Sequence, residues 1–245
     1  TCEDFVAAMA AASGRDFARF FRWYEQAGTP RLEVEGAYDP ERRRYTLSLR
    51  QHAPPTPGQP TKPPVEIPVR LGLLDADGAE VPLRLEGENA AVGTERVLEL
   101  SEPEQRFVFE DVASPPVPSL LRGFSAPVRL EAPFTDAELG HLLAHDTDGF
   151  ARWDAGQTLA LRTLLGLVDD HAAGRRPELP DGFVAAWARV LADDGIEPAF
   201  KAQLMGLPSA TYLGEQMATI DVEGIAAARE EIGRASCRER VSFTV

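Results

Sequence analysis

One stretch, Trp23-Tyr24-Glu25-Gln26-Ala27-Gly28-Thr29-Pro30, limits what this chain can fold into. Apolar residues before it recur at helical spacing, and those after it alternate. Gly28 can take the left-handed backbone that ends a helix without a Cβ clash. Pro30 cannot continue a helix and pushes Thr29 toward an extended conformation. The stretch therefore reads as a helix-to-strand junction and a domain boundary.

Upstream, Thr1 and Asp4 form a capping-box pattern with Asp in place of Glu or Gln. Phe5, Ala8, Met9 and Ala12 share one helical face, and Ser13-Gly14 breaks the helix. Asp16 can cap a second helix whose apolar side is Phe17, Phe20, Phe21, Trp23 and Tyr24. A packed aromatic ring buries about 150–250 Å², more than an isolated helix hairpin can cover. A domain preceding Thr1 is expected to pack on Phe17, Phe20 and Trp23, with the natural start of the protein lying further upstream.

Downstream, Leu32, Val34 and Tyr38 alternate with charged residues, Asp39-Pro40-Glu41 turns the chain, and Tyr45, Leu47 and Leu49 alternate again. Residues 52–64 hold six prolines and read as a stiff loop, with a proline-rich recognition ligand as an open alternative. Val65–Leu73 is a strand, Asp77-Gly78 a turn, and Val81–Leu85, Leu98–Leu100 and Phe107–Phe109 follow as strands. Pro115, Pro116 and Pro118 read as a bend before a last strand at Val128–Leu130. Seven short strands in about a hundred residues suggest an immunoglobulin-like β-sandwich.

At Thr135 the helical period returns. Thr135 and Glu138 form a capping box; Leu139, Leu142 and Leu143 follow, then Phe150, Trp153, Leu164 and Leu167. Asp181 and Pro198 open further helices, and Asp221 a last one through Ile225 and Ala228. Short helices with one apolar stripe each suggest a solenoid-type array, although no fixed repeat length is visible. Residues 232–245 carry no apolar period and read as a non-native, adapter-like tail, so the natural chain is expected to be cut near Glu231.

Composition excludes some functions. A net charge of −14 on 245 residues argues against nucleic acid and against anionic membrane surfaces. No apolar run approaches the roughly 18 residues of a membrane span. Cys2 and Cys237 make neither a disulfide framework nor a metal spacing. These features fit a reducing compartment, the cytoplasm.

Candidate chemistry is sparse. His141 and His145 lie at i and i+4, the spacing by which zincins hold zinc. The residue that should be the general base is Leu142, and Leu164 stands where the gluzincin branch places its third ligand, so both histidines read as polar helix-surface residues. Asp169-Asp170 and Asp193-Asp194 are adjacent pairs that do not face one another. No nucleophile elbow, P-loop or dinucleotide fingerprint occurs. Trp23, Trp153 and Trp187 read as core residues. No catalytic, cofactor-binding or metal-ligating residue is expected in this chain.

Three stretches together resemble the bacterial aminopeptidase N family of gluzincin zinc peptidases. They are Asp4-Phe5-Val6 with Met9, Phe20 and Trp23-x-x-Gln26-x-Gly28-x-Pro30; Phe124-Ser125-Ala126-Pro127-Val128-Arg129-Leu130; and Phe150-Ala151-Arg152-Trp153-Asp154-Ala155-x-Gln157. The likeness runs from Thr1 to about Glu231. It implies that residues 1–30 end a thermolysin-like catalytic domain, 31–132 are the sandwich and 133–231 begin a C-terminal helical domain. It also implies that the zinc, its ligands, the base and the groups gripping the substrate's amino end all lie before Thr1. The fragment would then be inactive alone and would position and gate a site that removes N-terminal residues from peptides. A second reading stays open: an independent immunoglobulin-like and helical module that binds a protein partner.

Overall fold

Among the described residues, alternation from Leu32 onward becomes two sheets, and the helical period on either side becomes eight α-helices. The computed structural model describes residues 1–242, with side chains to Arg234. Residues 243–245 and the side chains beyond Arg234, Cys237 among them, lie outside the described residues. Backbone contacts divide the chain into two units, Thr1–Pro133 and Phe134–Val245.

The first unit opens with α1 (Cys2–Ser13) and α2 (Ala18–Glu25). The capping box at Thr1 and Asp4 is formed, and Gly14 closes α1 in the left-handed region. Strands β1 (Arg31–Asp39), β2 (Arg44–His52), β4 (Arg84–Leu85), β6 (Glu104–Glu110) and β8 (Arg129–Glu131) make a sheet in the order β4-β6-β2-β1-β8. A second sheet has the order β5-β3-β7, from β3 (Ile67–Leu74), β5 (Glu95–Leu100) and β7 (Val117–Leu120). The β1–β2 hairpin pairs Tyr38 with Tyr45, and the Asp39 carboxylate accepts from the amides of Glu41 and Arg42. The inward positions of both sheets, Leu32, Leu47, Leu49, Ile67, Val69, Leu71, Leu73, Leu100 and Phe109, are sealed from solvent. Burying each such side chain contributes about 1.5–3 kcal/mol.

Among the described residues there are eight strands, not seven. The missed one is β7, where Pro115, Pro116 and Pro118 suggested a bend. It lies at the edge of its sheet, with Pro118 opposite Leu73; an edge strand tolerates a residue that donates no ladder hydrogen bond. The expected strand at Val81–Leu85 is regular only over Arg84–Leu85; before it, the Val81 amide donates to Leu73, and Leu83 donates to Gly93 and accepts from Val92, outside any regular ladder. β8 runs parallel to β1, with Leu130 beside Leu32.

The second unit contains α3 (Asp136–His145), α4 (Gly149–Ala172), α5 (Asp181–Ala192), α6 (Pro198–Leu204), α7 (Ala210–Glu215) and α8 (Val222–Ser242). The Thr135–Glu138 capping box starts α3, and α3 packs on both α4 and α5. Leu139, Leu142, Leu143, Leu159, Leu164, Phe183, Trp187, Leu204, Leu213 and Ile225 form its core, and the Phe183 and Trp187 rings stack at 4.1 Å.

Candidate functional site

The proline-rich loop is a clasp on the helix-to-strand junction. Gln59 brackets the end of α2: its Nε2 donates to the Glu25 carbonyl at 2.8 Å and its Oε1 accepts from the Ala27 amide at 2.8 Å. Arg22 donates to the Pro64 carbonyl at 2.5 Å, Gln26 to Pro63 at 3.0 Å, and the Trp23 indole to Glu66 at 2.8 Å. Prolines donate no amide hydrogen, yet their carbonyls accept well, and α2 uses them. The loop is thereby engaged within the chain rather than offered as a free recognition ligand.

The structure brings Phe17, Phe20 and Trp23 to one side of α2, each half-buried. The Phe17 and Phe20 rings meet at 6.0 Å, and Phe21 stacks on Tyr24 at 5.4 Å. The chain itself covers part of this face, Trp23 most firmly through Glu66. Other apolar side chains of the two helices stay open: Phe5 is 64% exposed and Met9 43% on α1, and Tyr24 54% on α2. Val6 is the one buried residue of α1 among those described. A helix of that length is marginal in water without a packed face.

His141 and His145 are half-buried, not surface residues as their sequence context suggested. Their helix, α3, packs against α4 and α5. Their rings lie 4.9 Å apart. Arg189 of α5 approaches His145 Nε2 at 3.3 Å; a guanidinium only donates, so Nε2 accepts and the neutral ring carries its proton on Nδ1. Burial, then His141, Arg189 and Arg152, hold the His145 pKa below its ordinary value.

Arg152 is a residue that pattern reading left without a role. Its guanidinium caps α3, donating to the carbonyls of Leu143 at 2.7 Å and Ala144 at 3.0 Å, and reaches Asp193 at 3.3 Å. Three helices are fastened by one side chain. Asp193 also accepts from the Gly195 amide, and Asp170 pairs with Arg175 at 2.6 Å, so neither acidic pair is arranged as a dyad. Trp187 is core, Trp23 is half-buried, and Trp153 is exposed, contrary to its expected core position, because it lies off the buried Ala151–Ala155–Leu159 stripe of α4. Asp154, beside it, is largely enclosed, and burial raises its pKa. In the sandwich, Arg122 is 2% exposed and bonds Ser119 and Glu80, both at 2.8 Å. No sequence pattern marks it.

Among the described residues no group of three or more His, Cys, Asp or Glu side chains could hold a metal ion. The histidine pair does not fit zinc: Arg189 occupies Nε2 of His145, Nε2 of His141 is sealed in protein, and Leu142 takes the place of a base.

Fold and site together define a class: an immunoglobulin-like sandwich, preceded by a helix hairpin and followed by a helical array. Residues 28–133 match a family described as a domain of unknown function, DUF3458, with an Ig-like fold, and residues 136–239 match DUF3458_C, described as ARM repeats. Aminopeptidase N of Escherichia coli K12 is 40% identical over 239 residues, covering 98% of this chain and 27% of that protein. The Caulobacter vibrioides aminopeptidase N is 43% identical over 95% of this chain and 25% of its own length. The Haemophilus influenzae aminopeptidase N is 36% identical over 94% and 26%. The crystal structure of Legionella pneumophila aminopeptidase A in complex with aspartic acid superposes with a TM-score of 0.78 at 29% identity, over 99% of this chain and 26% of that one. Residues 28–133 and 136–239 thus each match one of two adjacent domain families, and the chain is homologous to a segment of the bacterial aminopeptidases N. It spans about a quarter of the length of the relatives it matches.

Proposed function

We propose that this chain is the non-catalytic part of a zinc aminopeptidase that removes N-terminal residues from peptides in the cytoplasm. One observation carries the reading: identity of 36% to 43% with three aminopeptidases N over at least 94% of the chain. In this reading residues 1–30 close the peptidase domain, the sandwich spaces, and the helical unit restricts entry to peptides. The exposure of Phe5 and Met9 on α1 and of Tyr24 on α2 supports a neighbouring peptidase domain against these helices. No helix among the described residues is long and apolar enough to cross a membrane.

The test compares the chain alone with the full-length gene product. The chain is expected to bind no zinc by metal analysis and to release no alanine from an alanyl anilide, while the full-length protein does both. Turnover by the chain alone, or a full-length protein without peptidase activity, overturns the proposal.

A further inference from the structure

We propose that His145 is a proton-operated latch between α3 and α5: neutral, it accepts the Arg189 hydrogen bond that ties the two helices; protonated, it releases α5. The geometry requires the first half. Arg189 Nη1 stands 3.3 Å from His145 Nε2, and only an unprotonated Nε2 can accept from a guanidinium. A proton on that nitrogen turns an acceptor into a donor facing a donor.

The surroundings oppose the extra charge. On α3 the His141 ring is 4.9 Å away. From α4 comes Arg152, and from α5 Arg189, both cationic at every working pH. Two carboxylates of this region have partners of their own. Asp193 faces Arg152 at 3.3 Å, and Asp146, next in the chain, accepts from the Asp148 amide at 2.9 Å. His145 is the last residue of α3, where a cation normally gains from the helix dipole. Here Arg152 already caps the Leu143 and Ala144 carbonyls, so that gain belongs to Arg152. The pKa of His145 is displaced downward by the same neighbours. The latch is therefore closed at neutral pH and opens on acidification.

Amide hydrogen exchange across α5, residues 181–192, tests this in the full chain. Corrected for intrinsic rates, exchange there is expected to rise about threefold or more between about pH 7.5 and about pH 5.5. His145→Gln, whose amide oxygen can still accept from Arg189 but cannot titrate, should flatten that rise. Equal protection of α5 at both pH values in the natural sequence, or an undiminished rise in His145→Gln, overturns the proposal. A second readout does not depend on that variant folding: the His145 ring, titrated by NMR, should take up its proton at a higher pH in Arg189→Gln than in the natural chain. An unmoved midpoint also overturns it.

Discussion

The Trp23 indole donates to the main-chain carbonyl of Glu66 at 2.8 Å, across the point where helix gives way to strand. Helix α2 is thereby built into the sandwich that follows it. Truncating Trp23→Ala is expected to cost about 2–3 kcal/mol, below the roughly 3–5 kcal/mol of fully buried large aromatics because this ring is half-buried. Trp23→Phe keeps most of the ring and loses the bond, for about 1 kcal/mol. Urea denaturation of the sandwich unit measures both. A midpoint unmoved by Trp23→Ala would remove the anchoring role.

Gly72 and Arg122 cannot both keep their places if a methyl group is added. A Cβ on Gly72 would stand 2.4 Å from Arg122 Cζ and 2.6 Å from one of its nitrogens. The guanidinium would have to leave Glu80 and Ser119 in a site where Arg122 is 2% exposed. Breaking a buried charge pair costs about 3–5 kcal/mol, so Gly72→Ala is expected to destabilise the sandwich by about that amount in a denaturant titration. Gly174→Ala, at positive φ but with no atom within 4 Å of the added carbon, should cost about 1 kcal/mol.

What the sequence disclosed was what depends on period and local stereochemistry. The β1–β2 hairpin, the Thr135–Glu138 box and the apolar faces of α3 and α5 follow from spacing alone. β7 was hidden because proline reads as a breaker unless the strand is known to be an edge, and edges are a property of the assembled sheet. Arg122 and Arg152 were hidden for a related reason. Their partners, Glu80 and the α3 carbonyls, come together only when the elements pack. The histidines were placed on a surface because a helix face is assigned by its own pattern, and the arrival of Arg189 from α5 is not in that pattern.

Arg152→Ala is expected to destabilise the helical unit by about 2–3 kcal/mol. Two carbonyl caps on α3 and the tie to Asp193 disappear together, and bonds to charged groups contribute about 1.5–3 kcal/mol. Lysine carries a point charge and no planar fork, so Arg152→Lys should recover less than half of the loss. Thermal unfolding followed at the helical unit, with the sandwich transition as internal reference, gives the comparison. Full recovery by lysine would mean that charge alone, not the fork, holds α3 to α5.

Asp154 gives the pH prediction with the opposite sign to that of His145. Burial raises its pKa above the ordinary 3.8, so the folded state binds the proton more tightly than the unfolded chain does. Folding stability from this group therefore falls as pH rises from the ordinary aspartate range through the folded pKa, and the cost is complete above it. For His145 the folded pKa is lowered, so the unfolded chain binds the proton more tightly. Its stability is present at neutral pH and is lost as pH falls below the ordinary histidine range. Asp154→Asn removes the carboxylate charge and should stabilise the helical unit by about 1 kcal/mol near neutral pH, the lower end for relieving an uncompensated buried polar group. The advantage should shrink toward zero at acidic pH, where the natural carboxyl is itself neutral. Melting temperatures of the two proteins across that range decide the matter: a gain that persists unchanged in acid would show that the substituted amide packs better for reasons unconnected with charge.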